Sequence, residues 1–282
     1  MSVPKISIVI PAFNESLRLP SYLDSICNYI QTTSDFAYEV LVINDGSTDN
    51  TFESIVPYLK KHNFIRIISL NKNMGKGFAI KTGTAFSNGD YILFTDADGA
   101  TPINELDNFK IFLKNNYKGM LIGKRNIQED DNTKTGPFIK MIRKLARSTY
   151  KGIRNIILLR TFDDTQCGFK IFSKDLKEYF IALQRQYGYS FEIELLLIAT
   201  ILKKDIKEVE ILWFAKPGSK INIVKDSIKM FYDLFKIKLD LMQDLYSPRD
   251  IEALKKSELS KIQEIINYKK SSETLLIPLN KE

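Results

Sequence analysis

Cysteine and histidine are scarce in this chain of 282 residues. The two cysteines, Cys27 and Cys167, lie far apart and form no C-x-x-C pair. This spacing argues against a disulfide framework and against a structural zinc site, and it fits a reducing, cytoplasmic compartment. The one histidine, His62, falls at the predicted end of a surface helix. We therefore expect it to face solvent rather than to take part in catalysis.

Long hydrophobic runs are also missing. No stretch approaches the roughly 20 uncharged residues that a membrane-spanning helix requires. The apolar run at residues 6–10 lacks the length and the flanks of a signal peptide. The phosphate-loop motif G-x-x-x-x-G-K-[ST] and the dinucleotide motif G-x-G-x-x-G are absent, which removes the main support for a nucleoside triphosphatase or a dehydrogenase. We expect a soluble or peripheral protein of another class.

Positive charge is concentrated in one segment of a chain whose formal net charge is +7. No acidic residue occurs between residues 134 and 160. The spacing there places six basic residues on one stripe of a helix predicted over residues 138–157: Lys140, Arg143, Lys144, Arg147, Lys151 and Arg154. This basic stripe favours contact with an anionic membrane surface or a lipid phosphate, with a solvated helix face as the alternative. It lacks the interleaved aromatic residues of a nucleic-acid platform, so no nucleic-acid partner is expected.

The apolar pattern predicts an α/β fold. Short β-branched runs at residues 5–10, 38–44, 65–70 and 91–95 alternate with helical patterns at 19–31, 51–62 and 77–87. Such alternation is typical of a Rossmann-like, mostly parallel sheet with helices on both faces. Further strands are predicted at 120–123 and 207–213, and further helices at about 192–202 and 224–245.

We divide the chain into three parts on this pattern. Residues 1–220 are expected to form the catalytic domain, and residues 221–270 to form amphipathic helices that pack on it or on a membrane. The helix at 224–245 has lysines that alternate with aspartates, so packing on the core is preferred over membrane contact. The polar residues 271–282 are expected to be a flexible tail.

Polar motifs follow each of the first four predicted strands, at the sheet edge where ligands bind in α/β folds. They are Asn14-Glu15, Asp45-Gly46-Ser47, Asn73-Met74-Gly75-Lys76-Gly77 and Asp96-Ala97-Asp98. Two carboxylates one residue apart at a strand end point to the same side, and hard oxygen ligands of this kind suit Mg²⁺ or Mn²⁺. A solvated turn or a helix cap is the alternative. Residues 47–49 can cap the next helix, which leaves Asp45 to accept a hydrogen bond from a base.

These motifs, in this order, resemble the family 2 glycosyltransferases. Three features resemble the dolichyl-phosphate β-glucosyltransferase branch and related polyprenyl-phosphate sugar synthases in particular: the segments 96–101 and 164–170, and Trp213 followed by Gly218-Ser219-Lys220. The resemblance implies a GT-A domain and inverting transfer of a hexose, with glucose favoured. It also implies a nucleotide-diphosphate sugar donor, by default UDP-glucose, and Mg²⁺ or Mn²⁺ as the metal.

The resemblance also implies roles for individual residues. Those expected to line the nucleotide and phosphate sites are Pro11, Ala12, Glu15, Asp45, Lys76, Asp96, Asp98, Arg125 and Lys220. Asp98, with Asp96 beside it, would bind the metal, and Arg125 and Lys220 would lie near the phosphates. Those expected on the acceptor side are Gln166, Glu192, Glu194 and Ser219. Lys124 and Glu192 depart from the usual family residues, which leaves the acceptor side less defined.

Two acceptors remain open at this stage. A polyprenyl or dolichyl phosphate carries its own negative charge and needs no general base, and it would place the enzyme on the cytoplasmic face of a membrane. A glycan hydroxyl, as in surface polysaccharide assembly, needs a base, for which Glu192 or Glu194 are candidates. A non-catalytic nucleotide-sugar binding module is a third possibility, against which the intact acidic motifs argue.

Overall fold

A seven-stranded sheet organises the fold. The computed structural model describes residues 3–125, 152, 157–158, 161–216 and 223–266, with the backbone alone for 223–227. The strands are β1 (Lys5–Ala12), β2 (Ala37–Asn44), β3 (Ile65–Ser69), β4 (Tyr91–Thr95), β5 (Gly119–Arg125), β6 (Phe169–Ser173) and β7 (Asp205–Ile211). Their order is β3-β2-β1-β4-β6-β5-β7. All neighbours are parallel except at β6, which is antiparallel to both β4 and β5.

Helices cover both faces of this sheet. They are α1 (Leu19–Thr32), α2 (Thr51–Lys61), α3 (Lys76–Phe86), α4 (Asp107–Lys114), α5 (Lys177–Leu183), α6 (Phe191–Ile201), α7 (Ile223–Met242) and α8 (Ile251–Ile265). Apolar residues of α1, α2 and α4 form one core with the sheet, and those of α3, α5, α6, α7 and α8 form the other. The central strands are therefore buried on both faces, as the nearly continuous apolar runs of β1 and β4 require.

The predicted α/β architecture is confirmed, and the four predicted N-terminal strands match β1 to β4 closely. Strand β6 was missed, because residues 164–172 were interpreted as one compact run and Lys170 interrupts the apolar pattern. The prediction for His62 was wrong. Its side chain is buried at the end of α2 and packs on Phe64, with ring centroids 5.1 Å apart.

The C-terminal helices α7 and α8 pack on the α/β part of the molecule that precedes them. Helix α8 contacts α5, and the backbone N–H of Asn71 donates to the carbonyl of Ile265 at 2.8 Å. The Lys81 ammonium, at the end of a fully buried side chain on α3, lies 2.5 Å from a carboxylate oxygen of Glu258 on α8. A buried cation with one carboxylate partner is costly to leave unpaired, so this contact fixes α8 against the domain.

Several predictions fall on residues outside the described ranges. These are the boundary at residue 220, the tail at 271–282, Ser219, Lys220 and the basic stripe of Lys140, Arg143, Lys144, Arg147, Lys151 and Arg154. Among the helices that the structure does describe, none combines the length and the apolar character needed to cross a bilayer.

Candidate active site

Lys76 connects two acidic residues at the carboxyl edge of the sheet. It is the first residue of α3, and its ammonium lies 2.7 Å from Asp96, which follows β4, and 3.0 Å from Glu192 on α6. The second oxygen of Glu192 contacts the ammonium of Lys170, which is fully buried in β6. Asp96, Lys76, Glu192 and Lys170 thus form a chain of alternating charges, here named the charge chain. Each buried charge is compensated by its neighbour.

The charge chain keeps Lys76 protonated. Burial alone would lower the pKa of Lys76, but the nearby carboxylates of Asp96 and Glu192 outweigh it and raise the pKa above its ordinary value. A permanent positive charge therefore stands at the start of α3, beside a carboxylate pair that opens to solvent. The N-terminal end of a helix and a lysine together favour a phosphate.

Asp96 and Asp98 present carboxylates to solvent. Their side chains are 42% and 26% exposed. One oxygen of Asp98 accepts the backbone N–H of Ala100 at 3.0 Å, and the other lies 3.7 Å from the guanidinium of Arg18, which also pairs with Glu15. Two solvent-facing carboxylates suit a divalent cation that takes its other ligands from phosphate oxygens and water. Over the described residues there is no grouping of three His, Cys, Asp or Glu side chains that could hold a metal.

Gly168 fits closely behind Asp96. Its carbonyl accepts the backbone N–H of Asp96 at 3.2 Å. A Cβ atom at position 168 would lie 2.0 Å from a carboxylate oxygen of Asp96, well inside van der Waals contact. Segment 164–170 therefore packs directly behind the Asp96 carboxylate, and any side chain at position 168 would displace that carboxylate.

Arg125 is held by a two-point contact at the end of β5. Its Nε and Nη2 atoms donate to the two carboxylate oxygens of Asp164 at 2.6 and 3.0 Å. The guanidinium carbon also lies 5.3 Å from the centroid of the Trp213 ring. The carboxylate of Asp164 accepts the backbone N–H of Gln166 at 3.2 Å as well. This arrangement orients a guanidinium, a group suited to binding phosphate, and ties it to the segment that carries Gly168.

Asp45 organises the loop that leads into α3. Its two carboxylate oxygens accept the backbone N–H groups of Met74 and Gly75 at 2.7 and 2.9 Å. Burial raises the pKa of Asp45 to about 6, although these two hydrogen bonds favour the charged form. The backbone N–H of Asp45 donates to the carbonyl of Ala12, next to Pro11 at the end of β1. The carboxylate is therefore engaged with the loop backbone, and its expected contact with a base stays a prediction.

The structure corrects the acceptor-side assignment of Glu194. Residues two apart on a helix face different sides, so Glu194 points away from Glu192. It is fully buried, and its carboxylate accepts the Tyr246 hydroxyl at 2.7 Å and the backbone N–H groups of Arg185 and Gln186 at 2.9 and 2.7 Å. These contacts anchor the segment after α7 to the core and enclose the carboxylate within it.

Glu194 contributes to the pH dependence of stability. Burial raises its pKa to about 7 from an ordinary value of 4.5. Between these two pKa values the folded protein binds more protons at Glu194 than the unfolded chain does. The free energy of unfolding therefore falls as the pH rises from 4.5 to about 7. We expect the thermal unfolding midpoint to fall from about pH 5 to about pH 7, with a smaller slope in Glu194→Gln. Equal slopes in the two proteins, measured by circular dichroism, would contradict this assignment.

Four residues of the site were missed by the sequence analysis: Arg18, Asp164, Gly168 and Lys170. A lysine inside an apolar strand is unusual and could have identified Lys170. Arg18, three residues after Glu15, could have been found as an ion pair at helical spacing. Gly168 lies in the segment 164–170 that carries the family resemblance, but the sequence assigns it no role, because its constraint comes from Asp96, far away in sequence.

Comparison with known proteins identifies the family of this chain. The family model described as Glycosyl transferase family 2 matches residues 7–180. The chain belongs to this family. A dolichyl-phosphate β-glucosyltransferase of Trichomonas vaginalis is 33% identical to this family 2 protein over 253 residues, covering 87% of this chain and 76% of the relative. The Drosophila melanogaster dolichyl-phosphate β-glucosyltransferase is 34% identical over 244 residues, with 83% and 74% covered.

A solved structure shows the same fold. Glucosyl-3-phosphoglycerate synthase from Mycobacterium tuberculosis, in complex with Mn²⁺, UDP-glucose and phosphoglyceric acid, has a TM-score of 0.62 and 22% sequence identity to this chain. The similarity covers 83% of this chain and 79% of that one. The family 2 protein is a glycosyltransferase with a GT-A domain, and the predicted family, fold and enzyme class are confirmed.

Proposed function

We propose that this enzyme transfers glucose, with inversion, from UDP-glucose to a polyprenyl or dolichyl phosphate at a membrane surface, with Mg²⁺ or Mn²⁺ as cofactor. The names of its curated relatives support the sugar and the acceptor. The fold neighbour crystallised with Mn²⁺ and UDP-glucose supports the donor and the metal. The solvent-facing carboxylates of Asp96 and Asp98 have the hard oxygens that such a metal prefers.

One observation supports a phosphate acceptor. Both glutamates proposed as a general base, Glu192 and Glu194, already form ion pairs or hydrogen bonds within the protein. Glu192 contacts the ammonium groups of Lys76 and Lys170. Glu194 is enclosed with Tyr246 and two backbone N–H groups. A hydroxyl acceptor must lose a proton to such a base, whereas a phosphate oxygen is already anionic. The site is therefore better suited to a lipid phosphate.

The proposed reaction needs no proton transfer. A phosphate oxygen of the acceptor forms a bond to the anomeric carbon of glucose, from the face opposite the leaving group. The bond between that carbon and the diphosphate oxygen breaks, and its electron pair leaves with UDP. An acceptor dianion becomes a phosphodiester monoanion while the departing UDP gains one negative charge, so charge is conserved. The bound metal supplies Lewis-acid stabilisation of the diphosphate.

Each part of the site has a role in this proposal. Asp98 and Asp96 would hold the metal, while Lys76 and Arg125, together with Lys220, would provide positive charge for the phosphates. The nucleotide pocket is assigned to Pro11, Ala12, Glu15 and Asp45, and the acceptor side to Gln166 and Ser219. Glu192 positions the ammonium groups of Lys76 and Lys170. The basic stripe would hold the enzyme on the cytoplasmic face of an anionic membrane.

The test is a transfer assay with an organic extraction. Protein, Mg²⁺ or Mn²⁺, radiolabelled UDP-glucose and a polyprenyl phosphate are mixed, and the organic phase is counted. We expect label in that phase, a β-linked glucosyl phosphate by NMR, and loss of transfer when EDTA removes the metal. A reaction with UDP-glucose and metal but without lipid is the matched control.

The rival acceptor gives a different result. Label that stays in water, with UDP-glucose bound or slowly hydrolysed, would contradict the lipid-phosphate proposal. Transfer to an added glycan would then assign the enzyme to polysaccharide assembly. Transfer that persists with EDTA would contradict the metal assignment alone.

A further inference from the structure

Helix α7 has an apolar face that points away from the protein. Its outward residues recur at intervals of four, three, four and three: Ile228, Tyr232, Phe235, Leu239 and Met242. Their exposed fractions range from 40% to 72%. Monomeric proteins rarely expose a continuous apolar stripe of this kind unless it contacts a partner or a membrane. We call these five residues the outer stripe.

The charges on α7 are separated between its two faces. Asp233 and Asp240, both 7% exposed, turn inward, where Asp233 accepts the Ser190 hydroxyl at 2.9 Å and Asp240 pairs with Arg185 at 3.3 Å. Lys229 and Lys236 are exposed beside the outer stripe. Lysines and aspartates alternate in the sequence of α7, but in the structure Lys229 and Lys236 are exposed and Asp233 and Asp240 are buried. Along the described side chains of α7, the outward face combines apolar groups with positive charge.

We propose that the outer stripe is the surface on which this enzyme binds an anionic lipid bilayer. A helix of this type lies in the bilayer interface, with its apolar groups among the acyl chains and its lysines near anionic headgroups. A second copy of the chain is a poorer occupant. In a two-fold contact the same lysines would face each other across the interface, and their repulsion would oppose association.

The position of α7 connects this surface to the acceptor side of the active site. The Ser190 hydroxyl that binds Asp233 lies two residues before Glu192 of the charge chain. The side-chain amide of Gln166 lies 3.9 Å from the sulfur of Met230 on α7. A bilayer on the outer stripe would thus be separated from the segment that holds Arg125 only by the width of α7, about 10 Å. This link to the acceptor rests on the proposed function, whereas the binding surface itself does not.

Vesicle binding tests the proposal. The outer-stripe variant carries Ile228→Gln, Phe235→Gln and Met242→Gln, which remove apolar area and keep good helix formers. The control variant carries Ile111→Gln and Leu254→Gln, which change apolar side chains exposed by 63% and 39% on other helices. Sedimentation is measured with phosphatidylcholine vesicles and with vesicles that contain about 30% phosphatidylglycerol.

We expect the wild type to bind the anionic vesicles, and the outer-stripe variant to bind them at least ~10-fold more weakly. The control variant should bind within about twofold of the wild type. The thermal unfolding midpoint and the affinity for UDP should be the same in all three proteins, which separates loss of the surface from loss of the fold.

Three results would overturn the proposal. One is unchanged vesicle binding by the outer-stripe variant. Another is a change from dimer to monomer by light scattering with no change in vesicle binding, which would assign the stripe to a second copy. The third is release of a variant that carries Lys140→Glu, Arg143→Glu, Arg147→Glu and Lys151→Glu, while the outer-stripe variant stays bound.

The surface and the proposed function fail in different ways. Vesicle binding through the outer stripe without glucose transfer would leave the surface in place and contradict the acceptor. Transfer to a short-chain lipid phosphate in detergent, by a protein that binds no vesicles, would support the acceptor and contradict the bilayer-binding surface.

Discussion

Asp98→Asn is expected to lower kcat/KM for glucose transfer by about 10³-fold or more, because a neutral amide is a much weaker ligand for a divalent cation and the diphosphate charge then lacks its counter-charge. The amide has the same size as the carboxylate, and its oxygen can still accept the Ala100 N–H. Folding should therefore be preserved. Steady-state rates give the activity, and calorimetric titration with Mn²⁺ and UDP gives the affinity for metal.

Asp35→Asn is the matched control for this variant. Asp35 forms a surface ion pair with Lys114 at 2.8 Å, and exposed pairs of this kind contribute little to stability. We expect activity and Mn²⁺ affinity to equal those of the wild type. If Asp98→Asn kept half of its activity and bound Mn²⁺ as the wild type does, the assignment of Asp98 to the metal would be wrong.

Gly168→Ala is expected to lower kcat/KM by about 10²-fold, because a misplaced catalytic group of this kind has an effect of that order. The added methyl would lie 2.0 Å from a carboxylate oxygen of Asp96. Asp96 must then rotate away, which breaks its 2.7 Å contact with Lys76 and moves one of the two carboxylates. The affinity for Mn²⁺ in the presence of UDP should weaken in parallel.

Gly152→Ala is the control for the added methyl, since no heavy atom of the described residues beyond the adjacent backbone lies within 4 Å of a Cβ at that position. A second comparison shows whether the effect passes through Asp96. In an Asp96→Ala background the clash with the carboxylate is gone, so Gly168→Ala should have little further effect. An equal loss in both backgrounds would show that the substitution acts on the backbone instead.

Much of the fold could be predicted because patterns among neighbouring residues indicate the strands and helices. Runs of β-branched residues and helical periodicity located β1 to β4 and α1 to α3 within a few residues. The antiparallel strand β6 was missed because its pairing with β4 and β5 depends on residues that are distant in sequence. The charged Lys170 also interrupts the apolar residues of this strand. The burial of His62 also depends on packing, which a helix-end position does not reveal.

The sequence by itself determined the family and the positions of β1 to β4, because each motif and each of these strands is a short run of neighbouring residues. Only the tertiary structure decided which charges meet. Lys76 and Glu192 are 116 residues apart, and their contact depends on how α6 packs against α3. The structure likewise separated Glu192 from Glu194 and turned Asp233 and Asp240 of α7 inward. The physical reason is that burial selects one face of each helix, and a buried charge must find its partner in space rather than in sequence.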